Sequence, residues 1–348
     1  MTALNFRLNR RSRPLAAACL TFAFLALAVL ASGCGNATKS SKPVSGDTGG
    51  MHLVVFASDR NRAAGQFDLY LYDLDAQGFR LISGINSPTV PDLHPAISSD
   101  GLVIAFESNA GGPTGSDILL YSRSLQQLIA LPGVNTVADE TEPSFTGDAS
   151  RMAFTRLVGG KRRIFMVDGL GDTLVPLPGL DTPSTAFGDW APSPNQSGSK
   201  IAFVSDRTGS PQVYVWDAAT KSVLNLPLLL SAGNDVDPSL TPDGHYLCFA
   251  SDRAGGAGGY DLYLYNLVAN TYVTLPTNVN PLLSANSASN ERHPAISRSG
   301  DAIVFESDRS NGLGKIDLWN LRISSSSVGQ GTQESSTSDD IAPALLYP

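Results

Sequence analysis

The chain has 348 residues, 42% hydrophobic and 16% charged, with 24 Lys and Arg against 32 Asp and Glu and a formal net charge of −8. That is the composition of a folded globular chain, and its acidic balance repels phosphate backbones and anionic headgroups, so nucleic acid is not expected as a partner. Of the three cysteines, Cys19 and Cys34 fall in the N-terminal segment, which leaves Cys248 alone and excludes an internal disulfide from the folded part.

Arg7, Arg10, Arg11 and Arg13 precede an uncharged apolar run from Leu15 to Leu30, which ends in the small residues Ala31-Ser32-Gly33-Cys34. This is the pattern of a secretory signal over 1–33. Its ending resembles the lipobox of bacterial lipoproteins, which implies acylation of Cys34 as the first mature residue. Loss of the four arginines, with no acid among residues 1–33, takes the net charge from −8 to −12. Residues 35–50, GNATKSSKPVSGDTGG, read as a flexible tether. The chain is therefore expected to be exported and membrane-anchored through the lipid alone, on the periplasmic side of an outer membrane where the host has one.

From residue 51 onward one unit recurs. Its copies are VVFASDR at 54–60, IAFESNA at 104–110, MAFTRLV at 152–158, IAFVSDR at 201–207, LCFASDR at 247–253 and IVFESDR at 303–309. Their phenylalanines, Phe56, Phe106, Phe154, Phe203, Phe249 and Phe305, lie 50, 48, 49, 46 and 56 residues apart. A repeat near this length is the mark of a radial or stacked array.

Residues 92–131 show the unit in full. A short strand at 92–98 meets an Asp100-Gly101 turn, and a second strand follows at 102–108. After a loop holding Gly111, Gly112, Pro113 and Gly115, a third strand runs over DILLY at 117–121, and a fourth ends at Leu131-Pro132. The second strand is apolar on consecutive residues, so both of its faces must be covered, as in the stacked blades of a propeller. Third strands recur at 68–72, 163–167, 212–216, 261–265 and 317–321, and Leu-Pro recurs at 177–178, 226–227 and 275–276. The fold expected is an all-β propeller of six four-stranded antiparallel blades over 51–348. It begins on a second strand near His52, and the first strand missing from that blade is matched at the far end by Asp340 to Leu346. The C-terminal strand is therefore expected to close the ring.

The pattern acid-x-x-Pro-x-x-Ser, Asp-Gly, Ile-Ala-Phe-x-Ser-Asp-Arg, Asp-Leu-Tyr resembles the WD40-like PD40 repeat of the TolB propeller family, six times over. The resemblance implies a six-bladed β-propeller. It further implies an interaction scaffold, since TolB docks the peptidoglycan-associated lipoprotein and the Tol system.

Each first strand carries an acid three residues before its proline: Asp92, Glu140, Asp189, Asp235, Glu291 and Asp340. Arginines stand near the end of five second strands, at Arg60, Arg156, Arg207, Arg253 and Arg309. Neighbouring strands are close enough for structural ion pairs, Asp189–Arg207, Asp235–Arg253, Glu291–Arg309 and Asp340–Arg60. The unit with Asp92 has Ser108-Asn109-Ala110 instead, which makes Asp92 the acid expected to be available to a ligand. Two residues beyond the acids come His94, Glu142, Ala191, Asp237, His293 and Ala342; strict alternation puts them on the same side as the acids. Asp92, His94, Glu142, Asp237 and His293 thus form the candidate ligand face at the channel mouth. The two histidines belong to blades that are not neighbours, so no metal or other cofactor is expected.

No Gly-x-Ser-x-Gly elbow, phosphate-cradling glycine loop or Cys/His zinc spacing is present. The strand aromatics Tyr70, Tyr214, Trp216, Tyr263 and Trp319 read as blade core. The favoured function is a non-catalytic, monomeric envelope scaffold that binds a protein or cell-wall component. The alternative is a propeller enzyme or carbohydrate-binding protein working at the channel mouth, with or without a metal held by His94, Glu142, Asp237 and His293, which are metal-ligand types. The long connection Thr277 to Asn290 is the expected partner contact.

Overall fold

A computed structural model describes residues 52–346 except 87–88, 111–114, 132, 170, 172, 182–183, 228, 279–283 and 331–337. The signal, Cys34 and the tether lie outside the described residues. Six four-stranded antiparallel sheets account for every described strand. The first strands are Asp340–Leu346, Asp92–Ile97, Glu140–Phe145, Asp189–Pro194, Asp235–Leu240 and Glu291–Ile296, and they define blades one to six in that order. The chain is a six-bladed β-propeller, and these first strands line its central channel.

The second strands explain why the blades stack. In blade one (Leu53–Ser58), Val55 and Ala57 pack against Ile104 and Phe106 of blade two, while Val54 and Phe56 pack against Val304 and Leu318 of blade six. Successive side chains point to opposite faces of a sheet, and both faces here meet a neighbour, so the strand must be apolar throughout. Burial is accordingly divided into six layers between blades rather than gathered in one centre. Cys248 lies in the layer between blades five and six as a free thiol, and burial pushes its pKa up.

The fourth strands are shorter than the sequence suggested. In blade two the strand is Gln127–Ile129, and in blade three Thr173–Leu174; both stop before the Leu-Pro pair. Leu131 leaves the ladder because it fills the layer toward blade three, beside Val134, Met152 and Phe154.

The ring closes through the C-terminus. The strand Asp340–Leu346 pairs antiparallel with Leu53–Ser58, with Ser58 opposite Asp340 and Leu53 opposite Leu346. Gly101, at φ 68° in the Asp-Gly turn of blade two, lies so close to this strand that a Cβ would sit 2.9 Å from Leu346 Cδ2. Closure thus removes a sheet edge and completes a packed junction. Truncation before Asp340 is expected to lower the melting temperature by about 10 °C or more, measured by circular dichroism. An unchanged melt would show that the ring does not depend on this strand.

Candidate functional site

Every first strand contains the same irregularity. In blade two, Leu93 pairs with Glu107 and Ala96 with Ala105, so two residues face one across the ladder; blades three to six repeat the shift, and blade one shows it between Val55 and Ala57. At this bulge the second residue after each acid adopts a left-handed conformation, with φ of 43° at His94, 53° at Glu142, 50° at Ala191, 54° at Asp237, 45° at His293 and 49° at Ala342. The proline that follows lacks an N–H, so it fits where the ladder needs no donor. The simple alternation expected from the sequence therefore fails here. The acids turn into the blades, while the left-handed residues line the channel.

The acids meet guanidinium groups. Arg60 Nη2 lies 2.8 Å from Asp340, Arg207 Nη2 2.8 Å from Asp189, Arg253 Nη2 2.9 Å from Asp235 and Arg309 Nη2 3.0 Å from Glu291. In all four, Nε donates to the serine at the end of the second strand, Ser58, Ser205, Ser251 or Ser307, at 3.0–3.1 Å. Each guanidinium carbon also lies within 5 Å of a third-strand ring centroid: 4.9 Å for Tyr70, 4.7 Å for Tyr214, 4.5 Å for Tyr263 and 4.6 Å for Trp319. Blade three makes a variant latch, with Arg156 Nε 2.7 Å from Glu140 and the guanidinium 4.6 Å from Phe165. Arg156 stands directly opposite its acid, which explains its early place in the sequence.

Blade two has neither the arginine nor the aromatic: Ala110 and Leu119 stand at those places. Asp92 is nevertheless fully buried, so it does not face a ligand at the mouth. Blade packing seals its position whether or not an arginine occupies the latch. The long connection also departs from its expected role. Residues 279–283 lie outside the described residues, but Ser284, Ala285 and Ser287 are buried. Ser287 Oγ donates to Glu291 at 2.6 Å, and Arg309 donates to the carbonyls of Ser284 and Ala285. Its second half is therefore scaffold for the latch of blade six.

The channel encloses a cavity of about 290 Å³, with the prolines of the six first strands among its lining. At one end His94, Glu142, Asp237 and His293 come together. The His94 and His293 ring centroids are 6.2 Å apart, although their blades are not neighbours, because blade one between them presents only the small Ala342. Two further acids complete the group: Glu107 lies 3.0 Å from His94 Nδ1, and Glu306 2.9 Å from His293 Nδ1. The sequence holds a signal for both in the variable place of Ile-Ala-Phe-x-Ser, filled by Ala57, Glu107, Thr155, Val204, Ala250 and Glu306 in turn. Glutamate stands there only in the two blades with histidine. Asp237 accepts from Arg292 Nε at 3.0 Å and lies 3.5 Å from His293 Nε2.

These carboxylates also hold the backbone. Glu142 accepts the N–H of Ala191 at 2.8 Å, Glu306 that of Ala342 at 2.8 Å, Asp237 that of His293 at 3.3 Å and Glu107 that of Glu142 at 3.4 Å. A side chain from one blade thus fixes the left-handed residue of the next.

No family model matches the chain. The Tol-Pal system protein TolB of Francisella tularensis is 24% identical over 258 residues, 73% of this chain and 54% of the relative. The chain spans about half the length of the curated relatives it matches. Among solved structures, TolB from Acinetobacter baumannii superposes over 85% of this chain and 66% of its own, with a TM-score of 0.62 and 20% identity. A putative TolB from Agrobacterium tumefaciens superposes over 86% of this chain and 100% of its own, with a TM-score of 0.57 and 15% identity. This is a TolB-like six-bladed propeller.

Within the TolB-like ring the electrostatics of the channel end follow from its contacts. Burial opposes charge on both histidines, but the acids outweigh it: Glu107 and Glu142 raise His94, and Asp237 and Glu306 raise His293 to about 9. Asp237 moves the opposite way, because His293 and Arg292 overcome the burial that disfavours its charge. In the latches the balance differs. Burial raises Asp235 and Asp340 despite the attached guanidinium groups.

Two outcomes follow. Arg309→Ala removes a fully buried guanidinium and leaves Glu291 in the interior without it; urea unfolding should show a loss of about 3–5 kcal/mol. Arg207→Ala, at a latch whose arginine side chain is 22% exposed, should cost less; equal losses would mean that burial does not set the cost. The proton on His293 is held more tightly in the folded chain than in the unfolded one. Its stabilisation is complete below about pH 6.5 and lost as pH rises through about 9. With a chelator present, the melting temperature should fall between pH 7 and 9.5 more steeply for the wild type than for His293→Gln, and parallel curves would refute the assignment.

Proposed function

We propose that the chain is a docking module of the bacterial envelope: an exported propeller, anchored through lipid on Cys34, that binds a protein or cell-wall component without catalysing a reaction. The observation that carries this reading is the 24% identity to the Tol-Pal system protein TolB across 258 residues. Fold likeness alone does not specify function, so the face used for docking is argued from the surface itself.

That face is the one bearing the loops between second and third strands. Blade three differs there. Its strands Arg151–Val158 and Lys161–Asp168 have eight residues each, where the corresponding strands of the other blades have six. The hairpin turns at Gly159-Gly160 and carries exposed Leu157 and Val158, with Val137 89% exposed in the loop before Glu140. Leu313, in the equivalent loop of blade six, is exposed on the same face. Beside the hairpin, a cavity lined by His94, Glu107, Asp139, Glu142 and Arg162 opens between blades two and three. Apolar side chains around a polar opening suit a protein contact with an apolar centre and a charged rim.

The reading is tested by placing a photo-cross-linking residue at Val137 or Val158, and for comparison at Leu125 or Val268, in turns of the opposite face. In intact envelopes, adducts should form at the first pair and not at the second. No adducts, or equal adducts from both faces, would sink the assignment.

A further inference from the structure

Two contacts between neighbouring blades stack an arginine on an aromatic ring at the same two places, with the partners exchanged. Between blades five and six, Tyr260 at the head of the third strand meets Arg292, which follows the first-strand acid of the next blade; the guanidinium carbon lies 4.9 Å from the ring centroid. Between blades three and four the arginine and the ring change places, and Arg162 stacks on Trp190 at 3.6 Å. The register shows the equivalence, since Phe165 and Tyr263 stand opposite Phe154 and Phe249. The exchange changes which charges meet. Arg292 reaches the left-handed acid of the preceding blade, with Nε 3.0 Å from Asp237. The corresponding acid of blade three is Glu142, and no ion pair joins it to Arg162. Instead the two line one cavity of about 300 Å³, together with His94, Glu107 and Asp139.

The cavity thus holds charges of both signs that the protein does not pair with one another. Arg162 is seated on Trp190, and its guanidinium has no carboxylate partner among the described residues. Glu142 Oε2 accepts from Thr155 Oγ1 at 2.7 Å and from the N–H of Ala191 at 2.8 Å, while Oε1 accepts from no donor among the described residues. Glu107 is taken by His94, whose Nδ1 lies 3.0 Å away. A simple anion in this space meets the remaining carboxylates, and a simple cation meets the guanidinium. A molecule that carries both charges satisfies both, and leaving either end unpaired on desolvation is costly, so the two charges are selected together. The volume lies at the small end of the range for small-molecule sites, which suits a molecule of a few heavy atoms rather than a macromolecule. We propose that this cavity binds a small zwitterion of the amino-acid class, with its carboxylate on Arg162 and its ammonium on Glu142. The stack on Trp190 restrains the guanidinium before the ligand arrives, which lowers the cost of ordering it. Binding here does not depend on whether a protein docks on the surrounding face.

The test is calorimetric titration of the full chain with unbranched amino acids of increasing length, namely glycine, β-alanine, 4-aminobutyrate and 6-aminohexanoate, and with glycylglycine. At least one should bind saturably, one molecule per chain, and the spacing that binds best measures the gap between the two walls. The N-acetyl and the C-terminal amide forms of that probe should each bind about 10–100-fold more weakly, as should the unmodified probe to Arg162→Gln and to Glu142→Gln. Arg151→Gln, on the opposite face, should leave binding unchanged. The substitutions and the blocked probes should also match one to one: Arg162→Gln should no longer distinguish acid from amide, and Glu142→Gln should no longer distinguish amine from N-acetyl. Glutamine at 142 keeps an oxygen for the Ala191 N–H, and melts establish that each variant is folded. Should Glu142→Gln fail to fold, Arg162→Gln and the two blocked probes still decide. Absence of saturable binding by all five probes, equal binding of the blocked forms, or binding that survives both substitutions overturns the proposal.

Discussion

The propeller depends on a bulge of two residues against one, repeated in every innermost strand. Without it, the acid and the residue two places on would share one side of the strand. With it, the acid enters the blade and the later residue turns into the channel at positive φ. One backbone feature therefore separates two chemistries. Carboxylates bound to arginine sit inside the blades, and a variable ring of His, Glu, Asp and Ala lines the channel. Proline after the left-handed residue suits the bulge because it supplies no N–H to a ladder that is locally broken.

The latches illustrate what a buried charge contributes. Burial raises Asp235 and Asp340 even beside guanidinium groups, so desolvation is large compared with the attraction that offsets it. The serine hydroxyl, the stacked aromatic ring and the carboxylate together occupy the guanidinium, and that specificity fixes the loop leaving each second strand. Blade two shows that a blade forms without the arginine at this place. It has lost the arginine and the third-strand aromatic together, with Ala110 and Leu119 in their places, as expected if the ring serves mainly to seat the cation. The latch thus appears where a loop must be held and is dispensable for the sheet itself.

The fold was legible in the sequence because its strongest signals are local and repeated. A second strand that is apolar at every position, such as Ile104-Ala105-Phe106, has no stable place except between two sheets, and six such strands specify six blades. The unmatched first strand at Asp340 made closure readable as well. The channel was not legible, for a physical reason. Period-2 alternation holds only in an unbroken ladder, so it assigned His94 and His293 to the side of the acids. Their approach depends on the radius of the ring and the small size of Ala342, neither of which appears in a linear pattern. Glu107 and Glu306 were visible in principle, as the one variable letter of the motif that changes with histidine. The segment before Glu291 looked like an accessible insertion, yet Ser284 to Ser287 are consumed by Glu291 and Arg309.

The bulge also determines how such a ring can change its chemistry. A left-handed residue is disfavoured without glycine, but here the conformation is imposed from outside, by the missing donor of the next proline and by carboxylates reaching from the preceding blade. Ala191 and Ala342 adopt it with no functional side chain at all. The backbone therefore does not dictate which side chain enters the channel, and the six positions are free to differ while the propeller stays the same. What limits them is mutual support: Glu142 and Asp237 each hold the neighbouring blade's amide as well as facing the channel, and Glu306 holds one from the second strand behind His293. Replacing Glu142 or Asp237 changes the lining and loosens the next bulge together, whereas replacing His94 changes the lining and leaves the acids' bonds to the backbone intact. His94 is thus the place where channel chemistry separates most cleanly from architecture.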